Sequence, residues 1–597
     1  MTFTTRPDIL GTFGAVATTH WIASAVGMRM LEAGGTAADA AAAAGFTLNV
    51  VEPHLNGPLG DMPALVWAAD AEAPRMICGQ GTAPAGATVA HYRDQGLDLI
   101  PGAGHLATVI PGAFDAWIVM LSLHGRLTLR EVLEPAIHYA RHGHPILARV
   151  CDTIAGQADL FRAEWPTSAA VWLPGGDVPQ PGALFRNVQL ADFWTRLLEE
   201  AETASGREAQ IEVARRAFRE GFVAEAIDGF VREIEPMDGT GVRRKGVLTG
   251  ADMAGWRATV EDTVSTRHAG WEVFKGGFWS QGPVQLQALN ILDALGIAGE
   301  APLSDGFVHK VTEALKLAFA DREAFYGDPD HADIPADRLL SPDYARERAT
   351  QIGDTASRDL RPGRIVGFET LADAAIARSA RIGTGAGAGL GGGEPTMAHL
   401  ANRRGDTVHI DVIDRWGTMV SATPSGGWLQ SNPVVPGLGV PLNSRAQMFW
   451  LDEGLPTTLA PGRRPRTTLS PSMARAPDGT RMAYGTPGGD QQDQWQLTFI
   501  LRMIHHGMTP QQAIDGPLFH TGHLQASFYP RGLKPAHLMI EPAFAQATLE
   551  ALRARGHAVE VSEPWAVGRL TAALRRPDGV ISAAATPRLM QAYAIGR

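Results

Sequence analysis

The spacing of apolar residues changes along the chain, from helical recurrence in the first two-thirds to strand-like alternation in the last third. Residues 14–51 read as two helices. The first runs from His20 to Glu32 and stops at Gly34-Gly35, where glycine suits a C-terminal cap. The second begins near Thr36 and is alanine-rich from Ala37 to Ala44, the composition of a closely packed core helix. Thr128 and Glu131 have the spacing of a capping box. Leu129, Val132, Leu133, Ala136, Ile137 and Ala140 continue at helical intervals, and Pro135 is expected to kink or restart that helix. The clearest helix spans 304–326. Ser304 or Asp305 caps it, Phe307, Val308, Val311, Ala314, Leu315, Ala318 and Phe319 form one stripe, and Gly327 ends it.

Residues 383–393, GTGAGAGLGGG, are a glycine run. A phosphate-binding loop needs an apolar strand before it and a helix after it. Arg381-Ile382 and Glu394-Pro395 flank this run, so it reads as a flexible linker. Beyond it, Val408, Ile410 and Val412 alternate with His409, Asp411 and Ile413, Arg415-Trp416-Gly417 reads as a turn, and Thr418 to Thr423 return as a strand. Leu570 to Leu574 and Val580 to Ala584 flank Pro577-Asp578-Gly579 as a second hairpin. No internal repeat is present. Helices followed by strands predict an α+β, or layered α/β, enzyme.

Composition narrows this. The 597 residues are 45% apolar, enough for a large core and incompatible with wholesale disorder. The net charge of −11 is dispersed and no basic block occurs, which argues against a nucleic-acid partner. Two cysteines, Cys78 and Cys151, cannot make a disulfide framework, and free buried thiols are favoured over a single bridge. The opening MTFTTRPDILG lacks the pattern of a secretory leader, and no uncharged apolar stretch is long enough to span a bilayer. The expectation is a soluble cytoplasmic protein. His520 and His523 have metal-like spacing but no cysteine or acidic ligands at set positions, so no metal is expected; His505-His506 end a helix-like stretch before Gly507. Without a Gly-x-Ser-x-Gly elbow, a serine α/β-hydrolase is disfavoured.

The residue pair Asp406-Thr407 suggests other chemistry. A threonine hydroxyl needs a base, and an α-amine titrating near pH ~8 can serve when it belongs to the same residue. That requires cutting the preceding peptide bond, which the hydroxyl can do by attacking the Asp406 carbonyl and forming an ester that water resolves. A loose linker upstream would let the new end swing away, and a strand downstream would hold Thr407. A threonine ahead of a strand is common, so these residues alone leave the question open.

Six ordered segments supply the rest. They are GAVATTHWIASAVGMRMLEAGGTAADAAAAAGFTLNVVEP (14–53), PGAFDAW (111–117), HKVTEALKLAFADREAFYGDP (309–329), DTVHIDVIDRWGTMVSAT (406–423), RPRTTLSP (464–471) and GTPGG (485–489). Together they make the chain resemble the γ-glutamyltransferase (glutathione hydrolase) family over nearly its whole length. The resemblance implies the four-layer αββα sandwich of N-terminal-nucleophile hydrolases. It also implies self-cleavage into a large subunit, 1–406, and a small one, 407–597, interleaved in one core. Thr407 matches the catalytic threonine. Ser425 matches a supporting hydroxyl that is usually threonine. Gly488 and Gly489 match the pair whose N–H groups form the oxyanion hole, a role in which one lost donor costs roughly 3–4 kcal/mol in other enzymes. Thr467 and Thr468 stand where paired serines bind the substrate carboxylate. No cofactor is implied; the partners are a small-molecule amide and the sister subunit, with a dimer of such pairs as an option.

The chain departs from the family where a γ-glutamyl zwitterion would be read. Gln80 stands for an arginine that pairs with the α-carboxylate, Gly427 for an asparagine, and Met448 for an aspartate that pairs with the α-ammonium. Arg445, in PLNSRAQMF, replaces a neutral glutamine and offers a fork to a carboxylate without an ammonium neighbour. Trp428 and Trp450 either narrow the pocket or belong to the core. Asp490-Gln491-Gln492-Asp493 either line the pocket or open a helix. The expectation is an acylase-like enzyme for a deaminated or other non-glutamyl acyl amide. The rivals are an ordinary glutathione hydrolase or γ-glutamyltransferase and an unprocessed binding protein.

Overall fold

The structure is a computed structural model that describes residues 3–382 and 407–597. The glycine-rich linker 383–393 and Asp406 lie outside the described residues.

Two seven-stranded sheets, each antiparallel throughout, form the centre. One runs in spatial order Ile9–Gly11, Ile581–Ala585, Thr571–Arg575, Arg481–Gly485, Ser472–Arg475, Trp271–Lys275, Val264–His268. The other runs Tyr593–Gly596, Ala15–Thr18, Ile410–Ile413, Met419–Ala422, Met62–Trp67, Arg75–Gly79, Thr259–Asp262. Strands from before residue 383 and after residue 406 are neighbours in both sheets, so these two stretches share one core.

Period-two alternation sorts side chains between layers. Ala15, Ala17, Leu65, Trp67, Ile413, Met473, Ala483 and Ala573 fill the space between the sheets. Their neighbours Val16, Ala64, Val66, Ile410 and Val412 point outward to helices that include Trp21–Glu32, Ala37–Val51 and Ala113–His124. On the other sheet Ala474, Met482, Tyr484 and Ala572 meet Pro283–Ala294, Asp305–Phe325 and Gln492–His506. The result is the αββα sandwich.

The predicted elements form with local differences. Trp21–Glu32 is capped by the His20 ring, and Ala37–Val51 begins with a Thr36/Asp39 capping box and is buried along its whole length. Leu129–His142 carries the Thr128/Glu131 capping box and runs on through Pro135 instead of restarting. Asp305–Phe325 is capped by Ser304, but it ends at Tyr326, in extended conformation, rather than at Gly327. This helix is buried on almost every side, including Glu313, Lys316, Asp321, Arg322 and Glu323, so the single stripe understated it. Both hairpins are present, turning at Gly417 (φ 97°) and Gly579 (φ 88°). The strands before residue 276 escaped the helical reading of that region. Cys78 and Cys151 are free and buried, and burial pushes the Cys78 thiol up to about 12. Among the described residues no helix is long and apolar enough to cross a membrane.

Candidate active site

Thr407 sits at the head of the Ile410–Ile413 strand, fully buried. It pairs across to Ser425, which pairs in turn with Asp61, so three chain segments meet edge to edge. Thr407 Oγ1 lies 3.1 Å from Ser425 Oγ. Val408 N–H donates to Pro424 O at 3.1 Å and Ser425 N–H to Asp61 O at 2.9 Å, so the two hydroxyls are held by backbone on both sides.

A polar chain that the alternation pattern did not single out lies directly behind. His409 Nδ1 is 2.9 Å from Thr423 Oγ1, and its Nε2 is 3.1 Å from Asp411 Oδ1. Thr571 Oγ1 donates to Asp411 Oδ2 at 2.7 Å. The only available signal was two polar residues, His409 and Asp411, on the strand face that meets the other sheet. Gly485 is required there, because a Cβ would meet the imidazole at 2.2 Å.

Gly488 and Gly489 follow the Arg481–Gly485 strand with φ of 133° and 54°. A side chain at Gly488 would meet the Trp495 ring at 2.3 Å. Gln281, absent from the sequence reading, ties this turn to the predicted carboxylate-binding pair. Its N–H donates to Thr467 O at 2.9 Å and its Nε2 donates to Gly489 O at 3.0 Å. Its Oε1 accepts from Arg322 Nη1 at 2.8 Å. Thr467 and Thr468 are buried, and Thr468 Oγ1 has no partner among the described residues. Asp490 lies within a short 3-10 turn, Gly489–Gln491, ahead of the Gln492–His506 helix and pairs with Arg322. Burial raises the Asp490 pKa, but Arg322 and Ser527 outweigh it and hold the carboxyl below its ordinary value. Beneath the Thr467 loop, buried Lys275 reaches Ser470 and Asp493, each at 2.8 Å.

Arg445 is fully buried rather than exposed. Its Nε contacts the Asp61 carboxylate at 2.9 Å and its guanidinium lies 5.0 Å from the Trp428 ring centre. Its Nη1 and Nη2 have no acceptor among the described residues. Gly426 lies beside both groups, since a Cβ there would be 2.8 Å from Asp61 Oδ1 and 3.5 Å from Arg445 Nε. Met448 packs with Trp428 and Phe528 in a small apolar cluster. Gly427 has φ 63° and lies against the Gly57 and Gly60 backbone. Gln80 is buried, but its one side-chain hydrogen bond among the described residues goes to adjacent Gly81 O at 3.3 Å, so no hydrogen bond among them joins its side chain to the rest of the site. Trp450 donates to Glu323 Oε1 at 3.0 Å and serves a buried ion cluster.

His520 and His523 are each engaged by a donor, Trp495 Nε1 and Ala536 N–H. His309, Glu313 and His557 lie within ligand distance of one another. The two rings bond each other at 2.9 Å, and the Glu313 carboxylate is held by Lys316 and Arg361.

This sandwich is the fold of the N-terminal-nucleophile hydrolases, and Thr407 stands at its central strand head. Residues 23–596 match the model of the gamma-glutamyltranspeptidase family, and the chain belongs to that family. It is 31% identical to the glutathione hydrolase-like YwrD proenzyme of Bacillus subtilis (strain 168), with 97% of this chain and 98% of that protein covered. It is similar to the solved structure of LmbA2991HD, with 50% identity, TM-score 0.91 and full coverage of both chains. It is also similar to a cephalosporin acylase from Bacillus halodurans, with 26% identity, TM-score 0.81, and 100% of this chain and 98% of that one covered.

Proposed function

We propose that the chain is a precursor that cuts itself between Asp406 and Thr407, and that the paired fragments hydrolyse the amide of a small carboxylate-bearing acid without an α-ammonium group. The freed amine of Thr407 takes the proton from its own Oγ1 as that oxygen attacks the amide carbonyl. The N–H groups of Gly488 and Gly489 stabilise the resulting oxyanion. The proton passes to the leaving amine, the acyl group stays on Thr407 as an ester, and water releases the acid and restores the hydroxyl. Ser425 supports the nucleophile, and Thr467, Thr468 and Arg445 receive the acyl carboxylate. No cofactor enters.

The observation that carries this reading is Thr407 Oγ1 at 3.1 Å from Ser425 Oγ at the head of a central strand. The acyl preference rests on Met448, which presents an apolar side chain where the family's ammonium partner would stand, and on the two unpartnered donors of buried Arg445. A buried unpaired ammonium costs several kcal/mol, or about two powers of ten in binding.

A denaturing gel and mass spectrometry test the cleavage: two fragments, the smaller beginning Thr-Val-His-Ile, are expected, and Thr407→Ala leaves one intact chain. A single band from an active preparation rejects the mechanism; a single band without activity favours a binding protein. Assays with glutaryl- and γ-glutamyl-p-nitroanilide test the pocket. The glutaryl compound is expected to win by about tenfold or more in kcat/KM, and preference for the glutamyl compound restores the ordinary glutathione hydrolase.

A further inference from the structure

Beside the acylation centre lies a cluster of buried charge whose signs do not cancel. Arg322, Arg378, Arg466 and Arg531 are at most 3% exposed, and they surround two buried carboxylates, Glu323 and Asp490. Arg378 Nη2 takes Glu323 Oε1 at 2.7 Å, and Arg322 takes Asp490. Ser527 shares Asp490 through its N–H and hydroxyl, at 2.9 and 2.6 Å. Among the described residues that leaves Arg466 and Arg531 without a carboxylate of their own. Arg466 Nη2 donates to Ser527 Oγ at 3.0 Å and stands 3.8 Å from Glu323 Oε2. Among the described residues Arg531 donates only to the backbone, with Nε and Nη2 at 3.2 and 2.7 Å from Gln447 O, and its guanidinium lies 4.0 Å from the Trp450 ring centre.

Donors are left over as well. Arg466 Nε and Nη1 and Arg531 Nη1 are buried and find no acceptor among the described residues. Burial, with repulsion from neighbouring arginines, pulls Arg466 down to about 10 and Arg531 to about 9. Unneutralised cations with idle N–H groups are unfavourable inside a protein, and an anion that accepts those hydrogen bonds relieves both costs. A guanidinium fork matches the two oxygens of a carboxylate or the face of a phosphate.

The cluster touches the catalytic loops on three sides. Arg466 directly precedes Thr467, Asp490 directly follows Gly489, and Gln447, which holds Arg531, lies between Arg445 and Met448. We propose that Arg466 and Arg531 form a second, buried oxyanion-binding site next to the acylation centre, distinct from the Arg445 fork, that takes a carboxylate or a small inorganic oxyanion. The proposal uses the reading of Thr407 only to say what the site adjoins.

Thermal melts and titration calorimetry on the protein as purified, in buffer free of oxyanions, test this with sodium phosphate, sodium sulfate and sodium glutarate as probes. A gel run alongside reports processing independently, so failure of one reading is separable from failure of the other. At least one probe is expected to raise the parent's melting temperature, and Arg466→Met and Arg531→Met each to abolish that shift. Each variant should also melt above the parent in oxyanion-free buffer, because it removes a surplus buried cation. If glutarate alone acts, and KM for a carboxylate-bearing anilide rises about tenfold in the variants, the anion is the substrate's own carboxylate. If phosphate or sulfate acts and KM stays put, the site holds a free oxyanion. No probe shift in the parent, or an equal shift in the parent and both variants, overturns the proposal. Should Arg466→Met fail to fold, Arg531→Met carries the same test.

Discussion

At the scale of single residues, Gln281 decides how rigid the candidate oxyanion turn is. Gly489 has no Cβ to restrict it and sits at φ 54°, so its neighbouring peptide planes are soft unless something outside the turn holds them. The Gln281 amide does so from one side while Arg322 fixes the amide's own orientation. Gln281→Met keeps the volume and removes both bonds. The expected result is a fall in kcat of about 10- to 100-fold, below the full loss of an oxyanion donor, with KM within about twofold. Gln281→Glu keeps the Arg322 contact but loses the donor to Gly489, so it should share the kcat defect. Steady-state kinetics at unchanged melting temperature check this, and parent-like kcat in both variants would falsify the role. Residue type and motif context singled out Thr407, Ser425 and the glycine pair in the sequence as candidates, and folding brings Thr407 and Ser425 together. Gln281 was not among them, because a glutamine between Ser280 and Gly282 announces nothing until folding brings Thr467 and Gly489 to it.

At the scale of elements, the Ala37–Val51 helix shows how a cap can do more than end a helix. Asp39 accepts from Thr36 N–H at 2.8 Å, completing the capping box, and also from Arg126 N–H at 2.9 Å and Leu127 N–H at 3.2 Å. Losing a cap alone costs about 1 kcal/mol, and each of the two part-buried donors stripped of its acceptor adds about 1 kcal/mol, the low end for a lost partner. Asp39→Ala should therefore destabilise by about 3 kcal/mol or more, whereas Thr128→Ala, whose box is exposed, should cost about 1 kcal/mol. Urea unfolding of both variants measures the difference, and equal costs would refute the bridging role. Helices of this kind were readable because caps and helical spacing are local. The strands Ala15–Thr18, Met62–Trp67 and Arg75–Gly79 were not, since all but Arg75 among their residues are buried and almost no polar face marks the period. Met62–Trp67 and Arg75–Gly79 pair with each other, but the remaining partners lie far away in sequence, Ile410–Ile413 for the first strand and Met419–Ala422 for the second. The same distance hid the charge balance of Asp305–Phe325, whose ionic residues look solvent-facing until their partners arrive from other segments.

At the scale of the whole molecule, the sandwich encloses imidazoles that the sequence leaves anonymous, and they set its response to acid. Burial lowers His20, His105, His523 and His557 to about 3, His144 and His268 to about 4, and His54 well below its ordinary value. These rings are neutral when folded and titrate near 6.5 when unfolded, so below pH ~6.5 the unfolded chain binds more protons. Their contribution is complete above the unfolded value and drains away as pH falls toward the folded ones. Buried Glu52 works in the opposite sense. Burial pushes its carboxyl up to about 7, although Thr19, Arg569 and Arg149 pull the other way. The native state therefore holds the proton longer there, and that contribution is present at low pH and lost as pH rises through about 7. Seven histidines outweigh Glu52 and the aspartates that burial also raises, Asp321, Asp414 and Asp493, on the acid side. Stability should climb steeply between pH ~4.5 and ~6.5 and then level or decline slightly, and Glu52→Gln should remove much of any decline because its amide carries no charge to desolvate. Urea midpoints taken across that range, for parent and variant, are the measurement. A parent midpoint that stays flat or falls from pH ~4.5 to ~6.5 would mean that the imidazoles are solvated in the native state, contrary to their burial.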